Sequence, residues 1–160
     1  MGIQMIKYTT GNIFYAPAEA IVNTVNLKGC MGAGLAFQFK QRYPANNIAY
    51  MKACIGVQIS IGKVLVFQLE EGLLFGNAIK YIINFPTKDD WRNPSKLEYI
   101  SLGLESLKQE IVDKGIKSIA IPPLGCGLGG LQWQEVKALI EHSLGDMSDV
   151  EIIVYKPVTA

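Results

Sequence analysis

Residues 122–131 read "PPLGCGLGGL" and follow directly on the apolar run "SIAI". Four of the six residues from Gly125 to Gly130 are glycine, although glycine in an ordered segment costs backbone entropy. A short β-branched run that ends in prolines and then glycines is the signature of a buried strand passing into a loop. The next periodic segment, Trp133, Val136 and Ile140, has helical spacing. The unit is therefore strand, glycine loop, helix. A second unit of the same kind is "AIVNTVNLKGCMGAGLAF", where the strand Ala20 to Val25 gives way to the glycines of residues 29–34 and then to a helix.

Extending this pattern in both directions predicts further strands at Ile3 to Thr9, Lys63 to Leu69, Ile79 to Asn84, Ser118 to Pro122 and Glu151 to Tyr155. Helical segments fall between them. The clearest runs from Ser95 to Lys114. There "SKLE" has the form of a capping box with Ser95 as N-cap and Glu98 at N3, Leu97, Ile100, Leu104, Leu107 and Ile111 make one stripe, and Gly115 ends the helix. Leu35 to Tyr43 and Ala45 to Ile55 make a helix broken at Pro44. Strands alternating with helices predict an α/β fold with three layers, α/β/α. The segment "LEEGLLFGN", residues 69–77, lies between two strands as a hairpin connection, so the sheet is expected to be mixed and mostly parallel.

With 160 residues, the chain is the size of one domain, and 1–160 is read as such. Fifteen Lys and Arg against fourteen Asp and Glu leave a net charge of +1, so any contact with a polyanion must be local. The three cysteines have no CxxC or His-paired spacing, which argues against a disulfide framework and against a metal site. A reducing, cytoplasmic setting is expected. No secretory leader or membrane-spanning run is legible, and a monomer is expected.

Both glycine loops stand between a strand and a helix. Bare backbone there lets N–H groups converge on an anion, aided by the positive end of the following helix. Neither loop carries the GK[ST] of a Walker A motif, and the GxGxxG of a dinucleotide site is missing after the first strand. For one such loop alone, tight turns are an equal alternative. Two at neighbouring strand ends favour a phosphate-bearing ligand beyond the carboxyl edge of the sheet.

The set "TTGNI", "AEAIVNTVN", "GCMGAGLAFQFKQRYP", "INFPTKDDW" and "IAIPPLGCGLGGLQW" resembles the macro domain, an ADP-ribose-binding α/β/α module, over nearly the whole chain. Within that superfamily it is most similar to the DarG type, DNA ADP-ribosyl glycohydrolases that reverse the DarT toxin. The vertebrate terminal ADP-ribose protein glycohydrolase shares the "MGAG" and "GCGL" loops. The resemblance implies that Gly29, Cys30, Met31, Gly32, Ala33 and Gly34, with Pro123, Leu124, Gly125, Cys126, Gly127, Leu128 and Gly129, embrace the diphosphate and distal ribose. It implies ADP-ribosylated single-stranded DNA as substrate and neither cofactor nor metal. A DarT-type toxin is the implied partner, reached mainly through a C-terminal domain that 1–160 does not include.

Lys88 follows "NFPT" at the end of a strand. An exposed loop lysine is the ordinary reading of such a residue; the resemblance instead implies a catalytic lysine that attacks C1'' of the distal ribose as a free amine. Asn23 and Asn26 flank the end of the second strand and by resemblance line the distal-ribose end, Asn23 with a catalytic role; a turn-forming asparagine is the alternative for Asn26. Asn12 stands where many macro domains carry an adenine-binding aspartate, and its carbonyl oxygen can accept the same bond. Ile13 adds a backbone N–H. Tyr155 lies against the adenine or packs in the core. Gly129 occupies the place of an acidic residue in the vertebrate relative, which favours a nucleobase over a protein ester as substrate.

Several residues are set aside. Asp89 and Asp90 are expected to be solvated, Cys30 and Cys126 to be small packing residues, and His142 to sit on a helix surface. Trp91 and Arg92 either meet DNA or pin their own loop. A reader without chemistry and a hydrolase of protein-linked ADP-ribose remain the competing functions.

Overall fold

The computed structural model describes residues 6–70 and 79–158. Six strands form one sheet: β1 (Ile6–Thr9), β2 (Ala20–Val25), β3 (Leu65–Gln68), β4 (Tyr81–Pro86), β5 (Ser118–Ile121) and β6 (Glu151–Tyr155). Their spatial order is β1-β6-β5-β2-β4-β3. Every neighbouring pair is parallel except β3 with β4. The mixed, mostly parallel sheet is as expected. The 69–77 connection lies largely outside the described residues, but the antiparallel pairing on either side of it is present, and Leu69 N–H donates to the Lys80 carbonyl.

Alternation along the strands divides the core between two faces. Ala20, Val22, Ile83, Phe85, Ile119, Ile121, Ile152 and Val154 meet the stripe of α3 (Leu97–Lys114) and the inner side of α4 (Trp133–Leu144). Ile21, Val25, Ile82, Ala120 and Ile153 face α1 (Gly34–Arg42) and α2 (Pro44–Ile55). Helices thus cover both faces of the sheet, as a largely parallel sheet requires. Pro44 sits at the first position of α2, where its missing N–H costs nothing, so the predicted broken helix is two helices. Gly103 in α3 lies under the Phe85 ring, which any Cβ would overlap.

Two boundaries differ from expectation in an informative way. β4 runs two residues further than the predicted Asn84, which carries Asn84 into the strand directly opposite Asn23. Ser95 does not cap α3: the N-cap is Lys96, no side chain caps it, and Gly115 closes the other end at φ +63°. Ser95 is instead packed against the 122–131 loop, its N–H donating to the Gly129 carbonyl at 3.0 Å.

Because β5, β2 and β4 are adjacent and parallel, their carboxyl ends share one edge. The segments that leave them, 122–131, 26–34 and 87–92, therefore converge.

Candidate functional site

These three segments enclose a cavity of about 580 Å³, within the range of small-molecule sites. Asn26, Cys30, Gly32, Ala33 and Gly34 line it from one side. Pro123, Gly125, Gly127, Leu128 and Gly129 line it from the other, with Lys88 between. A second cavity of about 250 Å³ contains Asn12, Ile13 and Tyr155 in its wall. Leu35, Pro122 and Pro123 line both, so the two form one elongated cleft.

The 26–34 segment is held by side chains. Asn26 donates its Nδ2 to the Cys30 carbonyl at 2.8 Å and accepts the Lys28 N–H on Oδ1 at 2.9 Å. The Tyr50 hydroxyl lies 2.7 Å from the Asn26 carbonyl and 2.8 Å from its Oδ1. Asn26 is thus the turn-forming asparagine as well as a wall residue. Burial raises the Tyr50 phenol above its usual pKa, keeping it a hydroxyl donor. Leu27 N–H donates to the Asp89 carbonyl at 3.1 Å, tying this segment to the one after β4. α1 then starts at Gly34 with no side-chain cap and no acidic residue in its first turn. Its first N–H groups are free to meet an anion in the cavity.

The 122–131 segment is held by glycine. Gly125 adopts φ +71°, and a Cβ on it would come 2.7 Å from Leu131 Cδ1. A Cβ on Gly129 would overlap Ser95 Oγ and approach the Gly125 carbonyl oxygen to 2.5 Å. These two glycines are therefore required by packing inside the protein, not only by a ligand. Gly127 is different: a Cβ there would meet nothing within 4 Å. Ser95 Oγ itself is buried and has no hydrogen-bond partner among the described residues.

Lys88 is half-buried in the cavity wall, and its amine donates to the Trp91 and Leu128 carbonyls, both at 3.3 Å. It bridges the segment after β4 to the glycine loop. Asp90 is buried rather than solvated. It accepts Arg92 N–H at 2.9 Å, Nε at 3.0 Å and Nη2 at 2.6 Å, and these bonds hold its carboxyl well below the usual carboxylate range. Arg92 therefore pins its own loop. Trp91 stays 56% exposed on the cavity wall.

Asn23 does not reach the cavity. It is fully buried on the α2 side of β2, its Nδ2 donating to Asn84 Oδ1 at 3.2 Å, while Asn84 and Asn46 exchange two further bonds at 2.8 and 3.1 Å. Strand alternation sends residue 23 inward beside Ile21 and Val25. Met31 and Leu124 are likewise buried in the two cores, and Gly29 and Cys126 stand behind the wall rather than in it. Burial pushes the Cys126 thiol up to about 11, so it remains a thiol at neutral pH. Cys30, by contrast, is exposed and part of the wall. His142 is on the exposed side of α4.

At the other end of the cleft, Asn12 caps the 3-10 turn Ile13–Tyr15 by accepting the Phe14 N–H at 2.9 Å, which leaves one lone pair of its carbonyl oxygen for a ligand. Tyr155 is nearly buried at the same place. Among the described residues no helix is long and apolar enough to cross a membrane, and no cluster of three metal-binding side chains occurs.

Against known proteins, the family model described as Macro domain matches residues 22–140. The chain belongs to the macro domain family. It is 47% identical to the DNA ADP-ribosyl glycohydrolase of Thermus aquaticus over 96% of this chain and 42% of that protein, and the Mycobacterium tuberculosis protein of the same name gives the same figures. The chain thus spans 42% of the length of these curated relatives. Among solved structures, the macrodomain of Mycobacterium tuberculosis DarG superposes with a TM-score of 0.91 at 46% identity, covering 97% of this chain and 99% of that one. Thermosipho africanus DarTG in complex with ADP-ribose superposes with a TM-score of 0.88 at 30% identity, covering 99% and 44%. Sequence reasoning missed Thr24, Val25, Leu35, Ala36, Thr87 and Pro122 in the wall of the cleft. Thr87 and Pro122 adjoin predicted strand ends and were findable by position; Leu35 and Ala36 turn inward only because α1 begins at Gly34.

Proposed function

We propose that this macro domain binds ADP-ribose along the cleft and removes it from thymidine bases in DNA. The observation that carries the reading is Lys88: its amine stands between the two loop carbonyls, in the wall of a cavity whose described lining holds no other charged side chain. The free N–H groups at the start of α1 suit the diphosphate, and the cavity of Asn12 and Tyr155 suits the adenine. The DNA ADP-ribosyl glycohydrolases that the chain resembles support the substrate class.

The chemistry requires the neutral amine. Lys88 Nζ forms a bond to C1'' of the distal ribose as the bond from C1'' to the base nitrogen breaks, and the departing base takes up a proton. Water then hydrolyses the lysyl adduct, which restores the amine and releases ADP-ribose. Among the described residues no carboxylate forms an ion pair with Lys88: Asp90 is committed to Arg92, and residue 129 is glycine. A DNA ADP-ribosyl transferase is the natural opposing partner.

Turnover of a single-stranded oligonucleotide carrying ADP-ribosylated thymidine tests this reading. The intact protein should release unmodified DNA. Lys88→Arg can still reach the two carbonyls but is a poor nucleophile, and it should lower turnover by roughly a thousandfold or more while retaining ADP-ribose binding. Binding without release by the intact protein would make it a reader. Release only from a glutamate-linked ADP-ribosyl peptide would make it a protein hydrolase.

A further inference from the structure

We infer that Trp91 and Leu128 form an apolar clamp that grips the flat base attached to the distal ribose, and so select a nucleobase as the leaving group. The inference rests on the reading of the cleft as a site where a ribosyl–base bond is broken.

Both residues line the cavity yet leave their side chains open, Trp91 at 56% and Leu128 at 78% exposure. Two large apolar side chains lining one cavity mouth are a binding feature when none of the described residues covers them. Their backbones approach each other through a single atom. Lys88 Nζ is 3.3 Å from the carbonyl oxygen of each, so those oxygens are no more than twice that distance apart. The two residues come from different connections, one from the segment after β4 and one from the glycine loop after β5.

The position of a leaving group follows from reach. An amine poised for attack stands about 3–3.5 Å from the reacting carbon, and the bond that breaks adds about 1.5 Å. The first atom of the base is then within about 5 Å of Lys88 Nζ. The carbonyls of Trp91 and Leu128 flank that same atom, and both residues line the cavity beside it, so their side chains border the space the base enters. An indole offers a planar face to any base, and an aliphatic group suits the opposite face or a ring methyl. A carboxyl ester of a peptide has no such face and gains little from either.

The Trp91 ring is also prepared for this role. Asp90 fixes Arg92 with three bonds, and the Arg92 guanidinium lies 5.6 Å from the indole centroid. Segment 88–92 is tied again through the Asp89 carbonyl to Leu27. An aromatic held this way loses little freedom when a base stacks on it.

Equilibrium binding provides the test, because it is readable whether or not the protein turns its substrate over. In the Lys88→Arg background, Trp91→Ala should weaken an ADP-ribosylated thymidine oligonucleotide by ~10- to 100-fold and leave free ADP-ribose unchanged. Trp91→Phe should recover most of the loss, and Leu128→Ala should act in the same direction with a smaller effect. The thermal midpoint of each variant should match its parent, since both side chains are exposed. Equal weakening of free ADP-ribose would make Trp91 a wall of the ADP-ribose pocket. No weakening of either ligand would leave the base elsewhere. Both results overturn the clamp, and neither depends on the glycohydrolase chemistry. In the intact protein, failure to release DNA with the binding contrast preserved would overturn the catalytic reading alone.

Discussion

The two glycine loops that face each other across the cleft look alike in sequence and are built in opposite ways. Segment 26–34 takes its shape from polar side chains: Asn26 closes the turn onto Lys28 and Cys30, and the Tyr50 hydroxyl holds Asn26 from beneath. Segment 122–131 takes its shape from missing side chains, with Gly125 and Gly129 pressed against Leu131, Ser95 and each other. The first is a hydrogen-bonded loop that tolerates some change of volume. The second is a packed loop in which a methyl group on Gly125 or Gly129 has nowhere to go. Glycine richness alone therefore does not identify the atoms that touch a ligand.

Gly129→Ala should break this comparison most severely. The new methyl would meet Ser95 Oγ and the Gly125 carbonyl, and the second of these is backbone. Overpacking of this kind costs about 1–3 kcal/mol. Urea unfolding should show that loss, and titration with ADP-ribose should show weakened binding, because Gly125 and Gly127 shift with residue 129. Removing the Ser95 hydroxyl as well should restore only part of the stability, since the Gly125 oxygen remains in the way. Full recovery in Gly129→Ala/Ser95→Ala would place the whole conflict on the side chain and contradict the packed-loop account.

Tyr50→Phe probes the other loop and should cost less. It leaves the buried Asn26 carbonyl without its partner, a loss of about 1–3 kcal/mol at most, while Asn26 Oδ1 keeps the Lys28 N–H. The same unfolding measurement should place its effect below that of Gly129→Ala. Affinity for ADP-ribose should fall modestly, as the Cys30 to Gly34 wall loosens. A larger loss than for Gly129→Ala would reverse the ranking of the two loops.

Much of this architecture was legible because it is local. The runs at Ala20 to Val25 and Ser118 to Ile121 are mostly apolar, as strands covered on both faces are, and the stripe from Leu97 to Ile111 has no other reading than a helix. What was not legible depended on partners distant in the chain. "SKLE" fits a capping box, yet Ser95 is drawn under Gly129, thirty-four positions away. Asn23 looked like a ligand contact in "VNTVN" until strand pairing set it beside Asn84, and α2 brought Asn46 to the same pair. No local pattern announces a buried asparagine trio. Asp90 illustrates the reverse case: its partner, Arg92, is two residues away, but an acidic pair in a loop is ordinarily solvated, and only the wrapped conformation of 88–92 buries it.

Gly127→Ala is the smallest and sharpest test of the difference. Its Cβ would point into open space, and its φ lies outside the left-handed region, so neither strain nor overlap opposes the substitution. Unfolding free energy should stay within about 0.5 kcal/mol of the parent. The cavity wall nevertheless includes residue 127. A methyl group there takes volume from whatever lies between the loops, and a diphosphate approached closely by backbone N–H groups has little to spare. ADP-ribose affinity should therefore fall while stability holds, whereas Tyr50→Phe lowers both. If affinity also holds, the ligand rests on the 26–34 side and the start of α1, and the glycines of the second loop serve the protein's own packing alone.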